Sequence, residues 1–214
     1  MKLKKIASLM LAGIMAVSML AACNGKTEEP SSSSSETPAT GVSATFANFL
    51  SGKHVEFKDN ATYAGYLADG LKDADPKSAD LTGITKVQAT NNWGVFTKVE
   101  NKFDKNELDY SGRVTINNFS GTGVNQSNDE LFIALYAAPG SMKQDVVLEA
   151  VAAELDDNLS DSYLVNYADV GTGTTKRYDY DYTGSVSVQK VEDGSASAWY
   201  VLVTLYIDAT EVKK

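Results

Sequence analysis

Histidine and cysteine are almost missing from this chain of 214 residues: His54 and Cys23 are the only ones. A zinc site needs several His, Cys or carboxylate ligands converging on one point, so no metal ligand set is expected. A lone cysteine cannot form an internal disulfide, so packing alone must hold the fold. A Ser–His–Asp triad would have to use His54, and no nucleophile-elbow pattern accompanies the serines. With Lys53 and Val55 beside it, His54 reads instead as a loop or strand-edge residue. No phosphate-cradling glycine loop ends in Lys-Ser or Lys-Thr, and no cofactor is implied. Basic charge is also scarce. The net charge is −9, and it becomes more negative once Lys2, Lys4 and Lys5 are set aside. A phosphate backbone would be repelled, which argues against a nucleic-acid partner.

What is present begins at the N-terminus. Lys2, Lys4 and Lys5 precede an apolar run from Ile6 to Leu20, broken only by Ser8, Gly13 and Ser18. The run is short for a membrane span and ends in small residues, the pattern of a cleaved export signal. It closes on Leu20-Ala21-Ala22-Cys23. This segment resembles the lipobox of the bacterial lipoprotein class. The resemblance implies a signal peptide over 1–22 and diacylglycerol, with palmitate-type chains, on the Cys23 sulfur. It also implies a membrane-anchored protein on the extracytoplasmic face of the cell. Asn24 to Thr40 then holds Pro30, Pro38 and the serine run Ser31–Ser35. It has too little apolar surface to build a core and reads as a flexible tether over 23–40. Lysine far outnumbers arginine, a composition that suits a Gram-positive surface lipoprotein.

Residues 41–214 read as one α+β domain, an antiparallel sheet with one or two helices packed on it. The clearest signal is C-terminal. Tyr178, Tyr180, Tyr182, Val186 and Val188 alternate with polar residues. A second alternating run holds Trp199, Val201, Val203, Leu205 and Ile207. Asp193-Gly194 lies between them, a pair favoured in two-residue hairpin turns. Centring the hairpin there sets Val188 opposite Trp199, Val186 opposite Val201 and Asp181 opposite Tyr206. Gly184 interrupts the apolar face and suggests a bulge or bend.

Leu131 to Ala137 is a continuous apolar run, expected of a strand covered on both faces. Pro139-Gly140 ends it. Ser141 and Gln144 have capping-box spacing and predict a helix from there to about Leu159, burying Val147, Leu148, Val151, Ala152, Leu155 and Leu159. A shorter helix is expected after Asp59 or Asn60, burying Tyr63, Leu67 and Leu71. Val114 and Ile116 suggest a strand, and Ser120 to Asn128 a loop. Between Ala74 and Asn106 the pattern fits either state: Trp93 to Val99 alternates, whereas Trp93, Phe96 and Phe103 have helical spacing.

Carboxylates are the one abundant reactive group. Asp179 and Asp181 share the polar face of the hairpin, where a pair could serve as acid and base in glycoside hydrolysis. A solvated strand face predicts the same residues without further assumption. Asp156, Asp157, Asn158 and Asp161 gather where the long helix should end, opposing its dipole. A calcium loop of EF type would need glycine where Asp161 stands. Tyr200, Tyr206 and Asp181 make the candidate ligand surface, because aromatic rings beside polar groups grip sugars or protein partners. Cover by a helix, such as the one after Ser141, is the competing expectation, and Leu202 between the rings favours it. The expected function is a non-enzymatic surface module binding a glycan, an envelope polymer or a protein. The alternative is a small hydrolase of glycans or cell wall using paired carboxylates.

Overall fold

A computed structural model describes residues 41–76, 81–87, 94–104, 127, 129–171 and 174–213. Cys23 and the tether lie outside the described residues, as do the strand expected at Val114 and Ile116 and, apart from Ser127, the loop expected from Ser120 to Asn128. Among the described residues four helices flank a mixed sheet of six strands: α1 (Val42–Phe49), β1 (Val55–Phe57), α2 (Ala61–Leu71), β2 (Thr85–Val87), α3 (Val95–Asp104), β3 (Glu130–Pro139), α4 (Gln144–Leu155), β4 (Tyr167–Val170), β5 (Lys176–Asp193) and β6 (Ala196–Glu211). The strands run in the order β1-β5-β6-β3-β2, with β4 also paired to β5.

The class is α+β, as the alternation and the apolar runs indicate, but two details differ from expectation. The sheet is not wholly antiparallel, because β1 pairs parallel to β5 over Val55↔Tyr182 to Phe57↔Gly184. Four helices, rather than one or two, pack on it among the described residues, and they cover both faces. On the first face α1 and α4 pack Phe46, Val147, Leu148, Val151 and Leu155 against Tyr180, Tyr182, Val203 and Ile207. On the second, α2 and α3 pack Leu67, Leu71, Val99 and Phe103 against Leu135, Tyr200 and Leu202. This explains why β3 is apolar without alternation: its residues from Leu131 to Ala138 are buried whichever way they point. Each large apolar side chain buried this way contributes about 1.5–3 kcal/mol.

The C-terminal hairpin forms with its turn one residue later than the Asp-Gly pair suggests. Asp193 pairs with Ala196, so Gly194 and Ser195 make the loop, with Gly194 at φ 61°. Glycine accepts that left-handed conformation without steric cost. Every cross-strand partner therefore moves by two positions. Val188 faces Val201, Val186 faces Val203 and Asp181 faces Asp208. A shift of two conserves side-chain parity, so each residue stays on its expected face.

Gly184 makes no bulge, since pairing runs unbroken through Gly184↔Leu205. Its bare Cα admits the Phe57 ring, where an added Cβ would meet Cε1 at 2.5 Å. Asn60 caps α2, accepting from the Thr62 and Tyr63 amides at 3.0 and 3.2 Å. The capping box at Ser141 does not form. Pro139 accepts from the Met142 amide in a turn, Lys143 occupies the cap position without a side-chain bond, and the helix ends at Leu155. Leu159 is nevertheless buried with the rest of the expected stripe. Of the ambiguous region, Val95–Asp104 is helical and buries Phe96, Val99 and Phe103.

Beyond β1, the outer edge of β5 is closed by a side chain. Ser43 on α1 is fully buried; its hydroxyl accepts from the Val186 amide at 2.9 Å and donates to the Val186 carbonyl at 3.3 Å. Asp59 in turn accepts from the Ser43 amide at 2.9 Å, supplying the start of α1 with a carboxylate. Ser43→Ala strips two buried backbone groups of their partner at once. It should cost about 2 kcal/mol in urea unfolding, and a loss under about 0.5 would show that water replaces the hydroxyl.

Candidate functional site

The register of β5 against β6 decides what stands at the far end of the hairpin. Asp181 and Asp208 are direct cross-strand neighbours on the face that carries Tyr200, Thr204 and Tyr206. Asp129, just before β3, joins them. It accepts from the Tyr206 hydroxyl at 3.0 Å and from the Ala209 amide at 2.9 Å. Burial pushes the Asp208 carboxyl up, the charge of Asp129 adds to it, the Thr210 hydroxyl pulls it partly back, and Asp181 contributes a smaller rise. The Tyr206 phenol is pushed up as well, first by burial and then by Asp129. Tyr63 on α2 lies close enough to add to that shift, and its own phenol is raised to about 12 by burial. Among the described residues no lysine or arginine pairs with Asp181 or Asp208, although three carboxylates share this corner.

The three expected ligand residues do not form one open surface. Tyr200 is 1% exposed, buried beneath the α2–α3 layer, and cannot meet an external ligand. Tyr206 is half-buried with its hydroxyl committed to Asp129. Asp181 alone is exposed. A helical layer does cover this face, but it is not the helix after Ser141, which packs on the opposite one. Sequence reasoning missed Asp208 and Asp129. Asp208 was within reach, since it continues the Tyr200–Tyr206 alternation, but the turn placed at Asp193-Gly194 set Tyr206 across from Asp181 in its stead. Asp129 precedes its strand and carries no periodic signal.

Asp179 and Asp181 are both exposed and stand two residues apart along one strand. Asp179 sits 3.5 Å from the Arg177 guanidinium, which also covers the exposed Tyr167 ring at 3.8 Å. Hydrolysis needs two carboxyls on opposite sides of a bond, and adjacent positions on one strand face do not supply that. Among the described residues, no group of three or more His, Cys, Asp and Glu side chains has metal-binding geometry.

The acidic stretch after α4 clasps backbone amides just before β1. Asp156 accepts from the Ser51 amide at 2.6 Å. Asp161 accepts from the amides of Lys53 and His54 at 2.6 and 3.0 Å. His54 Nδ1 donates to the Leu164 carbonyl at 2.6 Å, which fixes the proton on that nitrogen. The single histidine thus holds the α1–β1 loop to the segment after α4.

Two outcomes follow from these shifts. The Lys53 amide foremost, and then the His54 amide, hold the Asp161 carboxyl low. Its contribution to stability is therefore complete above the unfolded carboxylate range, about 3.9, and disappears as pH falls through the folded value. Asp161→Ala should cost about 1 kcal/mol at neutral pH, with the deficit vanishing in acid. A deficit independent of pH would refute the charge argument. Asp208 has the opposite sign: its contribution is complete below about 3.9 and is lost as pH rises through its raised folded value. Asp208→Asn should therefore raise the melting temperature at neutral pH and give no gain in acid, measured by thermal unfolding across the pH range.

No family model, curated protein or solved structure matches the chain.

Proposed function

We propose that this chain is a bacterial lipoprotein of the extracytoplasmic membrane face, with a folded body that works as a non-enzymatic binding or structural module. The observation that carries the reading is Leu20-Ala21-Ala22-Cys23 at the end of the basic and apolar leader, in a chain with no second cysteine. Two acyl chains on one residue make a durable anchor, since each buried methylene contributes about 0.8 kcal/mol. The seventeen residues from Asn24 to Thr40, as a flexible coil, would span about 20–25 Å on average. That is enough to let the body reorient above the headgroups. No helix among the described residues is long and apolar enough to cross a membrane.

A binding role is supported by the corner at Asp181, Asp208, Asp129 and Tyr206. Three carboxylates on one patch favour ligands that bring hydrogen-bond donors or positive charge, such as glycan hydroxyls or basic segments of an envelope polymer or protein. Raised carboxyls also occur in acid catalysts, so Asp208 is the observation that favours the alternative, a small hydrolase of glycans. The binding reading stands first because Asp181 and Asp208 are neighbours on a sheet face and do not oppose one another across a bond.

The anchor is tested by the mass of the N-terminal peptide from protein extracted from its own membrane. The expected species starts at Cys23 and carries diacylglycerol on sulfur. A free Cys23 thiol, or a start at any other residue, ends the proposal.

A further inference from the structure

The outer edge of β5 is paired along most of its length, and the stretch left open is self-complementary. In an antiparallel ladder alternate residues turn their backbone groups to alternate sides. On β5 the even-numbered residues face away from β6. Tyr178 lies in the β4 ladder and Tyr180 donates to the Asn166 carbonyl. Tyr182 and Gly184 lie in the β1 ladder, and Val186 is closed by Ser43. Val188, Lys190 and Glu192 follow, still paired to β6 on their inner side. Among the described residues nothing bonds their outward backbone groups. An open edge is a template for another strand.

We infer that Val188–Glu192 is a contact between two copies of this chain, joined edge to edge across a two-fold axis at Val191. Antiparallel pairing about that axis sets Lys190 opposite Glu192 of the second copy and, by symmetry, Glu192 opposite its Lys190. Within one copy Lys190 Nζ already lies 2.8 Å from Glu192 Oε1. The dimer therefore arranges four charges in alternation, each cation flanked by one carboxylate along its strand and one across the interface. Opposite charges directly across a ladder are favourable and like charges are not. The competing register, centred on Lys190, would set lysine against lysine and leave both glutamates beside Val188. Charge thus selects the first register. Four backbone hydrogen bonds, two for each Lys190–Glu192 position, make the pairing short and reversible. A charged edge that only keeps other strands away predicts instead a chain that stays monomeric at every concentration.

The full chain, extracted in detergent from its membrane, is examined by sedimentation across a concentration series. The wild type should show a reversible monomer–dimer equilibrium. Lys190→Glu sets Glu against Glu, Glu192→Lys sets Lys against Lys, and each should weaken the dimer by at least about tenfold. An equimolar mixture of those two variants restores both opposite-charge pairs and should recover the wild-type association. A wild type that stays monomeric up to about 1 mM, a range spanning weak association, would overturn the inference. So would a dimer that survives Glu192→Lys, or a mixture that associates no better than its components.

Discussion

One strand carries the molecule, and the demand that its backbone groups be satisfied shapes everything around it. β5 is 18 residues long, far beyond what any neighbour except β6 can match. Its inner edge is met by β6 from Tyr178 to Asp193. Its outer edge is met piecemeal, by β4, by the Asn166 carbonyl, by β1 running parallel, and by the Ser43 hydroxyl. A buried backbone group without a partner costs about 1–3 kcal/mol, so these four different solutions answer one constraint. The parallel strand β1 exists for this reason. It is only three residues long, with Val55 and Phe57 packed against the core and Glu56 exposed between them.

The two-sided helix cover follows from the same geometry. A sheet with apolar residues on both faces must hide both. The hairpin shows this in its two sets of side chains: Tyr178, Tyr180 and Tyr182 turn to the α1–α4 side, while Tyr200 and Leu202 turn to the α2–α3 side. Ser185 and Thr204, buried on the second face, pair their hydroxyls at 2.8 Å. Asp69 ties α2 to α3 by accepting from Lys102 at 2.8 Å; with Lys72, at the end of α2 itself and 2.7 Å away, this lowers its carboxyl to about 2. Charge without a cationic partner among the described residues stands at one corner of the sheet, at Asp181 and Asp208.

That corner sets the functional argument apart from the fold argument. Asp181 and Asp208 cost stability where they stand, since like charges across a ladder repel. Such residues are common at sites that meet something outside the protein, because a site trades stability for binding. The acidic residues after α4 show why composition alone cannot make that distinction. They form an equally dense cluster, yet Asp156 and Asp161 accept backbone amides and hold a loop in place.

The amino-acid sequence by itself determined the hairpin, its two faces, the buried stripes of α2 and α4, and the doubly covered β3. These are local patterns, in which side-chain period reports the surroundings of each residue directly. It could not determine α1, whose eight residues bury Ser43 and Phe46 only because β5 and β1 lie beneath them. Nor could it fix the turn: Asp193-Gly194 has the chemistry of a hairpin loop, and only the completed ladder places the loop at Gly194-Ser195. The role of His54, the clasp at Asp161 and the meeting of Asp129 with Asp208 were likewise decided in three dimensions. Each depends on residues tens of positions apart, and no short-range pattern encodes which distant backbone amide a carboxylate will find.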